Sequence, residues 1–469
     1  MRRFALSLSW LALAPAFATA SQADRPPTAR IDADVQAVLQ RTATPGAVIA
    51  VYRDGKLIYG HAYGYRDRER RLPATMDTWY EIGSITKQFT AAAILQLQEA
   101  GKLDIDKPLS TWLPTAPHAT EVTLRQLLSH TSGLPEYLDG PDVEQFATRP
   151  ATFDQLMARI KDKPLDFKPG SRWSYSNTGY ALLGRVIEVV SGEDYRHYVR
   201  IHLLDPAGIS HTHGVADEER LSPMAVGYRH EGGKLERAPT IHDSVGGAAG
   251  YLVSTVADLE RWNEALVSGR IVTPADYAMM ITSVQTTGSG SADYGLGLFV
   301  DEMEGQPRVG HTGGSLGFTT ANEYFPRQRV RIIAFTNNGD NPEPGEMLTS
   351  AIFDDLYPAV AAAARAPAAG EDTEATAAAR ALFVQMQQGK EDASRFGGHL
   401  GAKLNAGLSA RLADKLAPFG EPTAFVFKGQ RDQDGVHWND YLIAFGPGSL
   451  LKFAFGLDAN GKVVSISYG

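Results

Sequence analysis

Three short stretches carry residue types able to perform nucleophilic chemistry. The first, "EIGSITKQFTAAAILQL" (residues 81–97), sets Ser84 three residues before Lys87 and then turns almost wholly apolar. A serine hydroxyl is a weak nucleophile until a base takes its proton. Residues three apart on a helix are surface neighbours, so the Lys87 amine can reach the Ser84 hydroxyl. Burial and the positive end of a helix both lower a lysine pKa, which frees the amine to act as that base. The bland alternative is Ser84 as a helix N-cap. It leaves Lys87 unexplained, because a capping box places Glu or Gln at that position and the helix dipole disfavours a cation in the first turn. The string S-x-x-K is weak alone. It recurs as Ser449-Leu-Leu-Lys452 in a strand-like run, where residues three apart face opposite ways.

The second stretch is Tyr175-Ser176-Asn177, the sole Y-x-N of the chain, in a polar loop ahead of a helix. A phenol there can relay protons beside Lys87, and an amide can hold a substrate carbonyl. The competing reading is a turn in which Asn177 caps the next helix. The third is His311-Thr312-Gly313-Gly314, whose small residues let a substrate lie along a strand. H-x-G also occurs at His230 and His399.

Two other chemistries compete. Gly313-Gly314-Ser315-Leu316-Gly317 matches G-x-S-x-G, but a nucleophile elbow needs a helix after the serine. The next residues, "FTTANEYF", read as a strand ended by Pro326. Twelve histidines include the pair His211 and His213, yet no H-E-x-x-H or other ligand spacing accompanies them.

The elements that must position these residues are strand-rich at the ends and helical between. "AVIAVYRDGKLIYGHAYG" is a hairpin turning at Asp54-Gly55, and "GFTTANEYFPRQRVRIIAFTNN" is a second strand pair. Helices are expected over 84–100 and in "TGYALLGRVIEVVSG". Strands enclosing helices indicate an α+β fold, with first and last segments paired in one antiparallel sheet. After an Ala- and Pro-rich linker over 358–376, a smaller α+β unit is expected over 377–469, a helix followed by four strands with "DANG" at a hairpin turn. Its pattern suggests a module of the cystatin or nuclear-transport-factor-like kind.

Composition bounds the rest. The 469 residues exceed one average domain. A formal charge of −9, with no long basic run, argues against nucleic acid as a partner. The absence of cysteine excludes disulfides and thiolate metal sites. The N-terminus, "MRRFALSLSWLALAPAFATA", has two arginines, an apolar stretch and a small-residue cleavage site. Residues 1–20 therefore read as a signal peptide, with Arg2-Arg3 also compatible with twin-arginine export. The expected destination is the periplasm or beyond, with no membrane span in the mature chain.

Taken in order, S-x-x-K, Y-x-N and H-T-G resemble the motifs of the penicillin-recognising serine hydrolases: class C β-lactamases, D-alanyl-D-alanine carboxypeptidases, D-aminopeptidases and related esterases. "LLSHTSGLP" (127–135), "YSNTGYALLGRVIE" (175–188), "AAGYLVSTVADLERW" (248–262) and "YGLGLFV" (294–300) add to the likeness, which spans residues 32–357. The resemblance implies a β-lactamase/transpeptidase-like antiparallel sheet flanked by helices, with a helical subdomain and the active site between them. It implies Ser84 as nucleophile, Lys87 and Tyr175 as base and then acid, and Asn177, His311, Thr312 and Gly313 as substrate-binding residues. The backbone N–H groups of Ser84 and Gly314 would form the oxyanion hole. No metal or organic cofactor is required. Many relatives have K-T-G where this chain has His311, and a histidine is mostly neutral at pH 7. That shifts the expectation from a resistance β-lactamase toward a general amide or ester hydrolase, acting on a D-amino-acid peptide, ester or β-lactam-like substrate. The alternative is a protein that binds penicillin or cell-wall peptides without turnover.

Overall fold

A computed structural model describes residues 26–214, 223–288, 290–340, 343–433 and 435–468. The signal-peptide expectation for residues 1–20 lies outside them. Helix α1 (Thr28–Arg41) leads into β1 (Gly46–Arg53) and β2 (Lys56–Asp67). Asp54 and Gly55 turn this hairpin with φ of 52° and 70°, the doubly positive pair that matches strand twist. A two-residue strand β3 (Leu72–Pro73) comes next. Strands β4 (Phe299–Met303), β5 (Gln306–Gly314), β6 (Thr319–Phe325) and β7 (Val330–Thr336) complete an antiparallel sheet of order β4-β5-β6-β7-β1-β2-β3. The first and last segments of this unit do meet: Ala50 of β1 pairs with Ile333 of β7.

Both faces of this sheet are covered, and alternation along β1 shows how. Val48 and Ala50 join a core with Ile333, Phe335 and the helices of the middle of the chain. Ala47, Ile49 and Val51 join a second core with Ile31, Val35 and Val38 of α1 and with Leu348 and Ile352 of a later helix. A fully buried Val, Leu or Ile contributes about 1.5–3 kcal/mol, which is why "GAVIAV" is apolar throughout and not alternating.

The middle of the chain is mainly helical. Helix α2 (Thr86–Glu99) buries eleven of its fourteen residues. Helix α3 (Asn177–Ser191) ends at Gly192 with φ 78°, the left-handed C-terminal residue that closes many helices. Short α4 (Asp243–Gly250) is kinked at Gly247, and α5 (Val256–Val267) is capped by the Thr255 side chain on the Asp258 N–H. No helix among the described residues is long and apolar enough to cross a membrane.

The Ala- and Pro-rich stretch read as a linker is more ordered than its composition suggests. After α6 (Pro344–Leu356) it forms α7 (Pro358–Ala364), and Arg365 then bonds to Asp354 and, at 2.7 Å, to Glu304. Helix α8 (Thr373–Gln387) starts before residue 377 because the Asp372 carboxylate accepts the Glu374 and Ala375 N–H groups. Four strands, β8 (Ala424–Gln433), β9 (Val436–Ala444), β10 (Leu450–Leu457) and β11 (Val463–Tyr468), form a second antiparallel sheet in sequence order. Phe383 and Met386 of α8 pack against Phe427, Ile443 and Phe453 from it. Arg41 of α1 ties the two units by donating to the Phe445 and Pro447 carbonyls, each at 2.8 Å.

Candidate active site

Ser84 sits in a 3-10 turn, Gly83–Ile85, that runs directly into α2. No side chain caps either element, so Ser84 is not an N-cap. Two interactions hold the turn: the Ile82 N–H donates to the Leu252 carbonyl at 2.9 Å, and the Thr320 hydroxyl donates to the Ile82 carbonyl at 3.3 Å. Strand β5 lies hard against it. A Cβ on Gly313 would stand 2.0 Å from the Ile82 carbonyl oxygen, and one on Gly83, at φ +49°, 2.7 Å from that of Gly314. Any larger residue at either position would drive the turn away from β5.

Lys87 is fully buried. Its Nζ lies 3.0 Å from Ser84 Oγ, 2.9 Å from Asn177 Oδ1 and 2.9 Å from the Ala249 carbonyl oxygen. Burial lowers its pKa to about 7, against the opposing pull of the Glu136 carboxylate. The Tyr175 ring stands 4.6 Å from the same nitrogen. Its hydroxyl is turned toward Ser84 and has no other partner among the described residues. Burial raises the Tyr175 pKa far above its ordinary value, so the phenol keeps its proton at neutral pH. The Y-S-N stretch divides its labour: Ser176, not Asn177, caps α3 through the Gly179 N–H, which leaves the Asn177 amide free to face Lys87.

His311 is buried on β5 beside this group, its ring 6.1 Å from that of Tyr175. Its Nδ1 donates to the Thr312 carbonyl at 2.5 Å, so neutral Nε2 accepts from the Tyr294 hydroxyl at 2.9 Å. Burial first, then Lys87, lowers its pKa to about 3. Both ring nitrogens are thus taken within the protein, and what His311 offers the cleft is a neutral wall. Thr312 is half-buried and faces the other side of β5 by strand alternation. The rival serine, Ser315, precedes strand β6 and not a helix. His211 lies 3.8 Å from Asp258, and His213 stacks on Trp79 at 5.2 Å. Among the described residues no metal-holding group of three or more His, Asp or Glu gathers.

The profile of the Beta-lactamase family matches residues 31–356. The chain belongs to the β-lactamase family. It is 31% identical over 298 residues to a putative penicillin-binding protein, PbpX, of Bacillus subtilis, covering 63% of this chain and 72% of that one. Among solved structures it is similar to a D-stereospecific amidohydrolase from Streptomyces sp., with 29% identity, a TM-score of 0.59, and 68% of this chain and 97% of that one covered. It also shares the fold of the octameric penicillin-binding protein homologue from Pyrococcus abyssi, at 24% identity and a TM-score of 0.63 over 94% of this chain and 95% of that one.

This β-lactamase-family serine hydrolase places further residues at the site that the motifs alone did not single out. The Ala249 carbonyl reaches Lys87 because the kink at Gly247 turns the end of α4. Glu136 accepts the Asn177 N–H at 2.6 Å and the Leu138 N–H at 2.9 Å, and burial raises its pKa. His130 holds a left-handed φ of 59°, a conformation costing about 1–3 kcal/mol that surrounding contacts must sustain. Its Nδ1 accepts the Ser176 N–H at 3.1 Å and its ring lies 4.3 Å from that of Tyr175. Burial, Lys87 and His311 together keep it neutral. His130 and Tyr294 fall within the stretches that carried the family resemblance and Glu136 directly succeeds one of them; those stretches marked the neighbourhood without assigning a task.

Proposed function

We propose that the protein hydrolyses amide or ester substrates through an acyl-enzyme on Ser84. The carrying observation is the hydrogen-bond arrangement at Lys87. A neutral amine has two hydrogens and one lone pair. Asn177 Oδ1 and the Ala249 carbonyl accept hydrogens only, which leaves the lone pair for the Ser84 hydroxyl at 3.0 Å. In the proposed sequence the Ser84 proton moves to Lys87 as Ser84 Oγ bonds to the acyl carbon. The N–H groups of Ser84 and Gly314 take the oxyanion; the close approach of Gly83 to the Gly314 backbone supports this assignment. The protonated phenol of Tyr175 hands a proton to the leaving amine or alkoxide and is reprotonated from Lys87. Water then enters, loses a proton to the same pair as it bonds to the acyl carbon, and the pair returns that proton to Ser84 Oγ as the acid leaves.

The substrate class we favour is a small D-amino-acid amide, peptide or ester. The neutral His311 supports this, since it supplies no charge for a substrate carboxylate. A signal peptide over residues 1–20 would place the activity outside the cytoplasm. The test is labelling with a fluorophosphonate or a labelled penicillin, repeated on Ser84→Ala, followed by turnover of p-nitrophenyl esters, D-amino-acid amides and nitrocefin. Loss of label in the variant is expected; label that persists sinks Ser84. Labelling without turnover of any substrate would point instead to a binding or sensing protein.

A further inference from the structure

The turn between β9 and β10, Phe445–Ser449, is short and closed on itself. The Phe445 N–H donates to the Ser449 carbonyl at 2.9 Å, and the Ser449 N–H donates to the Gly446 carbonyl at 3.2 Å. This turn sits against α6. Gly448, at φ +64°, lies so near that a Cβ would fall on the Met347 carbonyl oxygen and 3.1 Å from the Ala351 nitrogen, a carbonyl and an amide one helical turn apart. Two residues before Met347, Gly345 presses on the sheet of the first unit in the same way. A Cβ there would stand 3.0 Å from the backbone of Thr319 and Thr320, and the Gly345 N–H donates to the Thr319 hydroxyl at 3.2 Å.

Thr320 completes the path to the site. Its hydroxyl lies 3.2 Å from the Gly313 carbonyl oxygen and 3.3 Å from that of Ile82, so one hydrogen is shared between strand β5 and the Ser84 turn. Gly313 immediately precedes Gly314, and Ile82 stands two residues before Ser84; the N–H groups of Gly314 and Ser84 are the proposed oxyanion donors. From Gly448 to Ser84, each step is either a close backbone approach that a methyl group would crowd, a hydrogen bond, or a covalent neighbour. Interiors packed this closely transmit a displacement and do not absorb it. The oxyanion donors are where such a displacement matters, since a misplacement of about 1 Å can cost on the order of 10²-fold in rate.

We propose that the C-terminal unit braces the oxyanion hole, with Gly448 as a positioning residue that acts through α6 and Thr320. The proposal rests on the Ser84 acyl-enzyme reading and gives the second unit a task in that reaction. A unit that only stabilised the chain would change how many molecules are folded and leave the rate of each folded molecule alone. Turnover per reactive Ser84 is therefore the readout.

The experiment measures kcat and KM for p-nitrophenyl acetate in the full chain, with reactive molecules counted by fluorophosphonate labelling of Ser84 taken to completion. The wild type is compared with Gly448→Ala, Thr320→Val and the double variant. Gly448→Ala is expected to lower kcat per labelled site roughly 10–100-fold, the scale of a misplaced oxyanion donor, with KM within about threefold of the wild type. Thr320→Val should also lower kcat, and the double variant should be no worse than the poorer single one, because residues on one path do not act additively. If Gly448→Ala yields too little folded protein, Pro447→Gly softens the same turn without crowding Met347 and carries the decision. Its kcat per labelled site should fall further than that of Arg41→Ala, which loosens the junction only through partly exposed bonds. An unchanged kcat per labelled site, with only a lower Tm or fewer labelled sites, would make the unit a stabiliser and overturn the proposal. Losses that multiply in the double variant would overturn it too. Failure of the underlying reading shows separately, as label that survives Ser84→Ala.

Discussion

The tetrad Ser84–Lys87 runs through a 3-10 turn into α2, and its two polar groups meet at 3.0 Å. The tetrad Ser449–Lys452 enters strand β10, where Ser449 is buried and Lys452 is exposed between buried Leu451 and Phe453. Spacing is identical and geometry is opposite, because a helix brings residues three apart together and a strand sends them to opposite faces. Burial then completes the difference. Desolvation moves the buried Lys87 amine to about 7, while Lys452 stands in water.

The largest expected effect is at the serines. Ser84→Ala should lower kcat by about 10⁴-fold or more, as removal of a nucleophile does, whereas Ser449→Ala should leave turnover of a p-nitrophenyl ester within experimental scatter. Any comparable loss at Ser449 would break the contrast. The lysines come next. Lys87→Met should cost roughly 10²–10⁴-fold, the range of a general base, with Lys452→Met silent. Burial sets the sign of the wild-type pH profile. The neutral amine is the active form and its pKa is lowered to about 7, so kcat/KM should climb as pH rises through 7. A profile with no such acid limb would remove Lys87 as base.

Glu136 offers a finer test. Glu136→Gln keeps an acceptor for the Asn177 N–H but removes an anion that raises the Lys87 pKa. The acid limb should therefore move to lower pH, with kcat falling by about tenfold as the charge-assisted bond weakens. A limb that moved upward would reverse the proposed electrostatics. The smallest effect is expected at the polar bonds where the two units meet. Arg41→Ala removes two bonds to the carbonyls just before β10 and should lower stability by roughly 1 kcal/mol, since both groups are partly exposed. Calorimetry would read this as a small fall in Tm, with ester turnover unchanged.

Much of the fold was legible in the residues. Asp54-Gly55 announced the first hairpin, "GFTTANEYFPRQRVRIIAFTNN" the second strand pair, and "TGYALLGRVIEVVSG" the helix α3. The extent of order between 358 and 376 was not legible, because its Ala- and Pro-rich composition suits a linker as well as a packed helix and only Arg365 meeting Asp354 and Glu304 distinguishes them. At the site, Ser84, Lys87, Tyr175 and Asn177 were readable as motifs, and the structure brings all four together. The task of Ser176 as cap was not readable, since Ser and Asn are equally good N-caps and stand side by side. Nor were His130, Glu136 and Ala249, whose roles depend on partners about 40 to 160 residues away.

By itself the sequence determined the first hairpin, the second strand pair and the helices α2 and α3, that a serine stands three residues before a lysine at the head of α2, and that no lysine stands where His311 does. These are local properties, set by periodicity, turn chemistry and residue type. Only the tertiary structure decided that Lys87 loses its water and so its high pKa, and that the kink at Gly247 aims the Ala249 carbonyl at it. Desolvation and charge alignment belong to neighbours distant in sequence, and no local pattern encodes which of them will meet.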